Sequence, residues 1–300
     1  MNLKKIAWFV LFAFGISWLS AGIVYACGVP YGSGISVIIT AAVYMLAPAI
    51  SACIVQKLMY KQPLQDLGLD FKIIRWKQFL WLPVMNIAFC ILTICMIYLF
   101  GNIMNIEGFG EYSLDQDLFN TRMEEIIKAS GGPSAPNIPV PPGILLILIL
   151  FGATLLGGIV NLPATFGEEL GWRGWMYNEL EPLGFLRSNL ITGFIWGIWH
   201  APLILQGHNY PEHPVAGVFM MIPFCTALSF IMSFARKMTN SVLAPAALHG
   251  MINSTAGGVM LFCYGSNDLL GNLAGVAGIL AATVIVCVLS LINLKKQKTG

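Results

Sequence analysis

The sequence predicts an all-α fold, a polytopic membrane helix bundle with about eight transmembrane helices, and three observations carry that reading. The 300-residue chain is 57% hydrophobic and 10% charged, with a mean hydropathy of +0.76, which leaves too little polar material to clothe a water-facing shell. Apolar runs of membrane-crossing length recur from one end to the other. Basic residues crowd alternate loops, as membrane insertion requires.

A helix needs about twenty apolar residues to cross a hydrocarbon core of about 30 Å. Runs of that kind lie near 6–27, 34–59, 78–101, 143–166, 187–206, 215–235, 241–262 and 270–293. An even number places both termini on one side. Lys4, Lys5, Lys295, Lys296 and Lys298 flank the ends; Lys57, Lys61, Lys72, Arg75 and Lys77 fall between the second and third runs, and Arg236 and Lys237 between the sixth and seventh. The loop 102–142 on the other side carries only Arg122 and Lys128, against Glu107, Glu111, Asp115, Asp117, Glu124 and Glu125. Both termini are therefore expected in the cytoplasm, in a multi-pass protein of the cell membrane.

The lipid bilayer is the first partner implied. A net charge of +2 offers no broad basic field, so nucleic acid is not expected. Cys27, Cys53, Cys90, Cys95, Cys225, Cys263 and Cys287 sit singly in apolar segments without metal-ribbon or disulfide spacing, and read as packing residues. Val24-Tyr25-Ala26-Cys27 loosely resembles a lipoprotein cleavage site, but the long apolar run before it and Tyr25 fit poorly, so no cleavage is expected. Residues 131–142 hold five prolines and read as a linker into the fourth run, preceded near 111–128 by a short surface helix. Without a repeat or a soluble second unit, residues 1–300 form a single membrane domain, with a catalytic core at about 143–256.

An ionisable residue at bilayer depth costs about 2.5 to 3.5 kcal/mol and is a functional candidate unless merely paired. Such residues concentrate in the second half. In Glu168-Glu169-Leu170-Gly171-Trp172-Arg173, helical geometry pairs Glu169 with Arg173 at i,i+4 and turns Glu168 about 100° away, free for another partner. Trp196 and His200 share a face of the fifth run, as do His249 and Asn253 in the seventh. Together these supply what hydrolysis needs: a base for water, imidazoles for metal or protons, and an amide for an oxyanion. His208 and His213, with Glu212 in a short outer loop, read as solvent-exposed on the face opposite Glu168.

In this order, EExxxR (Glu168, Glu169, Arg173), WxxxH (Trp196, His200) and HxxxN (His249, Asn253), with Leu67-Gly68-Leu69, Lys72 and Arg75 upstream, the chain resembles the CPBP, or Abi, family of intramembrane proteases. That family includes the type II CAAX prenyl endopeptidases and proteins linked to bacteriocin immunity. The resemblance implies an endopeptidase acting on a membrane-associated peptide or lipidated protein. It assigns water activation to Glu168 with His200, and oxyanion stabilisation, or help in holding a metal, to His249 with Asn253. Glu168, His200 and His249 are the implied ligands of a zinc ion, with a metal-free glutamate mechanism as the alternative. Two other readings remain open at this point: a non-proteolytic immunity or regulatory membrane protein, and a secondary transporter, which the confinement of polar residues to one half disfavours.

Overall fold

The computed structural model describes residues 2–64, 67–129 and 139–299. Among them the chain is helical almost throughout. Helix α1 (Leu3–Ala26) leads to α2 (Gly34–Met59), α3 (Trp76–Ile103), the amphipathic α4 (Gln116–Ala129), α5 (Pro142–Val160), α6 (Leu162–Glu169), α7 (Gly184–Trp199), α8 (Pro214–Thr239), α9 (Leu243–Met260) and α10 (Val276–Thr299). Five of these, α1, α2, α3, α5 and α8, are long and apolar enough to cross a membrane, and α10 contributes the shorter apolar stretch Val276–Ile292. α7 has 16 residues and carries Arg187, Ser188, Asn189 and Thr192, and α9 carries His249, Asn253, Ser254 and Thr255. The two short strands, β1 (Glu111–Tyr112) and β2 (Cys263–Tyr264), pair antiparallel and join the loops before α4 and after α9. Most of the proline-rich linker expected at 131–142 lies outside the described residues, and Pro142 opens α5.

The bundle is turned outward in hydropathy, as a lipid solvent demands. Ile159 and Val160 on α5, Leu80 at the start of α3 and Phe219 on α8 are exposed, whereas Glu168, Glu169, Arg173, His200 and His249 are buried. Without a hydrophobic drive between helices in lipid, close packing and polar clamps hold the pairs together. α7 lies along α8, and α9 lies against α5 and α6. A Cβ on Gly193 or Gly197 would fall 2.4 Å from Thr226 Cα or 2.6 Å from Ile222 Cα, so these glycines permit the approach of α7 to α8. Ser229 and Ser233 of α8 then donate to Asn189 Oδ1 at 3.1 and 2.6 Å. At the α5–α9 crossing, a Cβ on Gly250 would sit 2.7 Å from the Gly157 carbonyl oxygen.

One end of the bundle gathers Lys5, Gln62, Gly68, Arg75, Glu179 and Asn240. Val242 N–H donates to Gly68 O at 3.2 Å, and Arg75 N–H to Thr239 O at 2.9 Å. Lys5 is buried there rather than offered to a membrane surface. Its ammonium pairs with Glu179 and donates to Gln62 Oε1 at 2.8 Å and Gln56 Oε1 at 3.0 Å, above the faces of Tyr60 and Trp175. The charge that the sequence assigns to topology thus also pins α1 to α2 and to the chain after α6.

Gly250→Ala tests the α5–α9 crossing, because its new methyl meets backbone that cannot swing aside. Detergent melting should show a loss of about 1 to 3 kcal/mol. Gly257→Ala on the same helix, where the added carbon meets nothing within 4 Å, should be neutral or stabilising by helix propensity.

Candidate active site

α5 and α6 form one interrupted helix. It breaks at Asn161, and Pro163 starts the next segment. Asn161 Nδ2 donates to Gly250 O at 3.1 Å, and Thr165 Oγ1 donates to Ala246 O at 2.9 Å, so the start of α6 is stitched to the backbone of α9. Beyond Glu169 the chain winds as a π-helix over Leu170–Met176, a local widening that recurs at functional sites. These ties place Glu168 and Glu169 beside α9 and α7.

Glu169 is the structural carboxylate. Its Oε1 accepts from Arg173 Nη1 at 3.0 Å and from His249 Nδ1 at 3.0 Å, all three side chains being buried. The guanidinium of Arg173 lies over the Trp196 ring, 4.2 Å from its centroid. Among the described residues, Arg173 Nε and Nη2 and Glu169 Oε2 have no hydrogen-bond partner.

Glu168 points the other way. Trp196 Nε1 donates to its Oε2 at 2.9 Å. His200 Nδ1 donates to the Trp196 carbonyl at 2.9 Å, and the rings of His200 and His249 lie 5.6 and 5.5 Å from the Trp196 ring. Trp196 is therefore the hub on which both glutamates' networks and both imidazoles converge. Because carbonyl and carboxylate oxygens only accept, Nδ1 of each histidine carries a proton, and each Nε2 takes no part in these bonds.

His200 also marks where α7 ends. Pro202 has no N–H to give, a short turn restarts at Ala201–Ile204, and Leu203 N–H donates to His200 O at 3.0 Å. The Trp199 carbonyl, freed by this break, accepts from Trp18 Nε1 at 3.0 Å and from the Tyr44 hydroxyl. Trp199 Nε1 in turn donates to Ser17 Oγ at 2.9 Å. α1 and α2 thus serve the site by capping a broken helix.

Two residues fall differently from expectation. Asn253, one turn beyond His249, is exposed and outside the hydrogen-bonded cluster. It shares a face of α9 with Ala256, Gly257 and Met260, which line a cavity of about 400 Å³ with Arg122, Glu212 and Asp268. His208, expected on the opposite face in solvent, is half-buried and stacks on His200 with centroids 6.2 Å apart. Its loop sequence gives no periodicity from which that could be read. His213 lies in the loop before α8, where Asp268 accepts from its Nδ1 at 2.7 Å.

The zinc expectation meets a spacing test. Zn–N bonds of about 2.0 to 2.1 Å set the ligand atoms of a tetrahedral ion about 3.3 Å apart. Among the described residues, the His/Cys/Asp/Glu group with ligand atoms all within 4.8 Å of one another is Glu212, His213 and Asp268. Glu168, His200 and His249 do not meet that spacing, so as arranged they do not close on one ion. In the outer group, Asp268 Oδ2 accepts from the N–H groups of Glu212 and His213 at 2.8 and 3.3 Å. Asp268 thus holds the two residues that precede α8.

Residues 141–255 match the family model described as type II CAAX prenyl endopeptidase Rce1-like. The chain is also 40% identical over 53 residues, 17% of its length, to a curated protein of Methanococcus maripaludis named CAAX prenyl protease 2; the match spans 19% of that relative.

Glu169→Gln keeps the shape but removes the charge that Arg173 faces. Breaking a buried pair in this way costs about 3 to 5 kcal/mol, and detergent melting should show a loss of that order. A variant as stable as the parent would deny Glu169 its structural role.

Proposed function

We propose that this chain, a CAAX-protease-like family member over residues 141–255, is an intramembrane endopeptidase that hydrolyses a peptide bond in a membrane-associated peptide or lipidated protein. One observation carries the reading: Glu168 and two imidazoles from three separate helices meet around Trp196 inside an apolar bundle. Buried polar groups at that depth call for a function.

Glu168 is the general base. Its Oε2 is steadied by the Trp196 indole, and Oε1 takes a proton from water as the water oxygen attacks the scissile carbonyl carbon. His200, with its Nδ1 proton committed to the Trp196 carbonyl, offers the Nε2 lone pair to the second hydrogen of that water and orients it. The developing oxyanion is met by His249, whose imidazolium, paired to Glu169, donates from Nε2. As the C–N bond breaks, Glu168 returns the proton to the leaving amine, so no proton is gained or lost over the cycle. Glu169 and Arg173 orient His249 and do not touch substrate. The donor spacing supports this metal-free course over a zinc ion held by Glu168, His200 and His249.

Glu168→Gln keeps the hydrogen bond from Trp196 but cannot accept the proton, so peptide cleavage by the purified protein should fall by about 10² or more with the fold intact. 1,10-Phenanthroline should leave the parent rate unchanged in the same assay. Cleavage at the parent rate by Glu168→Gln would take the role of base from Glu168, and a chelator loss restored by Zn²⁺ would return the three residues to the role of ligands.

We further propose that both termini face the cytoplasm of the cell membrane, supported by the basic loops and by the end that gathers Lys5, Arg75 and Asn240. Reporters fused after residue 300 and inside the 102–142 loop should report opposite compartments. Signals from one compartment would overturn the topology.

A further inference from the structure

Between Ile204 and Pro214 the chain folds back over the end of α7. His208 lies between Gly207 and Asn209, whose φ angles of +103° and +59° are both in the left-handed region, one that glycine and asparagine tolerate best. Its N–H donates to Leu203 O at 3.0 Å, and its carbonyl accepts from Tyr210 N–H at 2.7 Å. The backbone is thereby fixed on both sides of the residue. The imidazole is aimed inward, parallel to His200 within 10°.

A second segment reaches the same imidazole. Tyr31, in the loop between α1 and α2, places its hydroxyl 2.6 Å from His208 Nδ1 and its ring edge-on at 5.7 Å. Burial pushes the Tyr31 phenol up to about 12 and the His208 imidazole down to about 4, so near neutral pH the pair is an O–H beside an uncharged ring. Such a hydroxyl both donates and accepts, and can hold either tautomer of His208.

Around His200, the Trp199 ring lies edge-on at 4.8 Å, Trp196 at 5.6 Å, and Cys225 Sγ is 3.9 Å from Nδ1. His208 adds a parallel face to this box. Rotation of the His200 ring would break that stack together with the bond from Nδ1 to the Trp196 carbonyl.

We propose that His208, anchored by Tyr31, is a positioning residue for His200: it holds the ring in the plane that directs Nε2 at the attacking water. The proposal rests on the hydrolytic reading above and adds to it a loop residue outside the three helical motifs. It makes the loop after α7 and the loop after α1 joint determinants of turnover.

The test compares full-length Tyr31→Phe, His208→Ala, His208→Phe and the Tyr31→Phe/His208→Ala pair in detergent, with peptide cleavage and the ring ¹⁵N shifts of His200 in substrate-free protein as readouts. His208→Ala should lower kcat about 10- to 100-fold, the scale of a small misplacement, with KM within about twofold. His208→Phe, which keeps a flat ring, should recover most of that loss, and Tyr31→Phe should fall between. Because the two act as one unit, the pair should be no slower than His208→Ala. The His200 shifts should leave the single Nδ1–H form in His208→Ala and return to it in His208→Phe. Parent kcat together with parent shifts in His208→Ala would overturn the proposal. Glu168→Gln run alongside separates the two claims: if it is inactive while His208→Ala is fully active, only the role of His208 falls. If Glu168→Gln is fully active, Glu168 loses the role of base, and the substrate-free shifts in His208→Ala still decide whether His208 positions His200.

Discussion

Two neighbouring carboxylates buried in a helical membrane bundle repel each other and lose hydration, and the fold around them is organised to make that burial tolerable. Glu169 is neutralised by Arg173 one turn away and tied to His249 from another helix, so that α6 and α9 share one ion cluster. Glu168 is left with an indole N–H. This division of labour leaves Glu169 paired with Arg173 and His249, and Glu168 held by the Trp196 indole. The π-helical winding after Glu169, the broken helix before it and the flat Trp196 ring beneath Arg173 all serve the same separation.

The backbone supplies much of the remaining construction. Helix interruptions at Asn161 and Pro202 release polar groups that would be expensive in lipid. Side chains from neighbouring helices take them up: Trp18 and Tyr44 at the Trp199 carbonyl, while Asn161 itself reaches Gly250. Each repair also fixes an active-site residue, since His200 follows Trp199 directly and His249 precedes Gly250. A break that costs stability locally is thus tied to the geometry of the polar cluster.

Much of this was legible in the sequence because it depends on local helical geometry. The spacing of Glu169 and Arg173 predicted their pairing, and the apolar runs located the helices that the fold contains. The face shared by Trp196 and His200 was also readable; the rings meet, and His200 Nδ1 reaches the Trp196 backbone carbonyl as well. What escaped depends on distant segments meeting. Lys5 finding Glu179 joins two helices far apart in the sequence, and β1 finding β2 and His208 finding Tyr31 are contacts across loops, where no periodicity constrains direction. Asn253 shows the converse limit: i,i+4 spacing from His249 gives its face, but not whether that face reaches the cluster.

The central claim is that the peptide is cut where Glu168, His200 and His249 surround Trp196. An experimental structure with a non-hydrolysable peptide bound tests it most directly. The account predicts the scissile carbonyl within hydrogen-bonding reach of His249 Nε2, with room for one water between its carbon and Glu168 Oε1. A peptide seated instead in the outer cavity between Arg122, Glu212 and Asp268, with its scissile bond remote from Glu168, would contradict it.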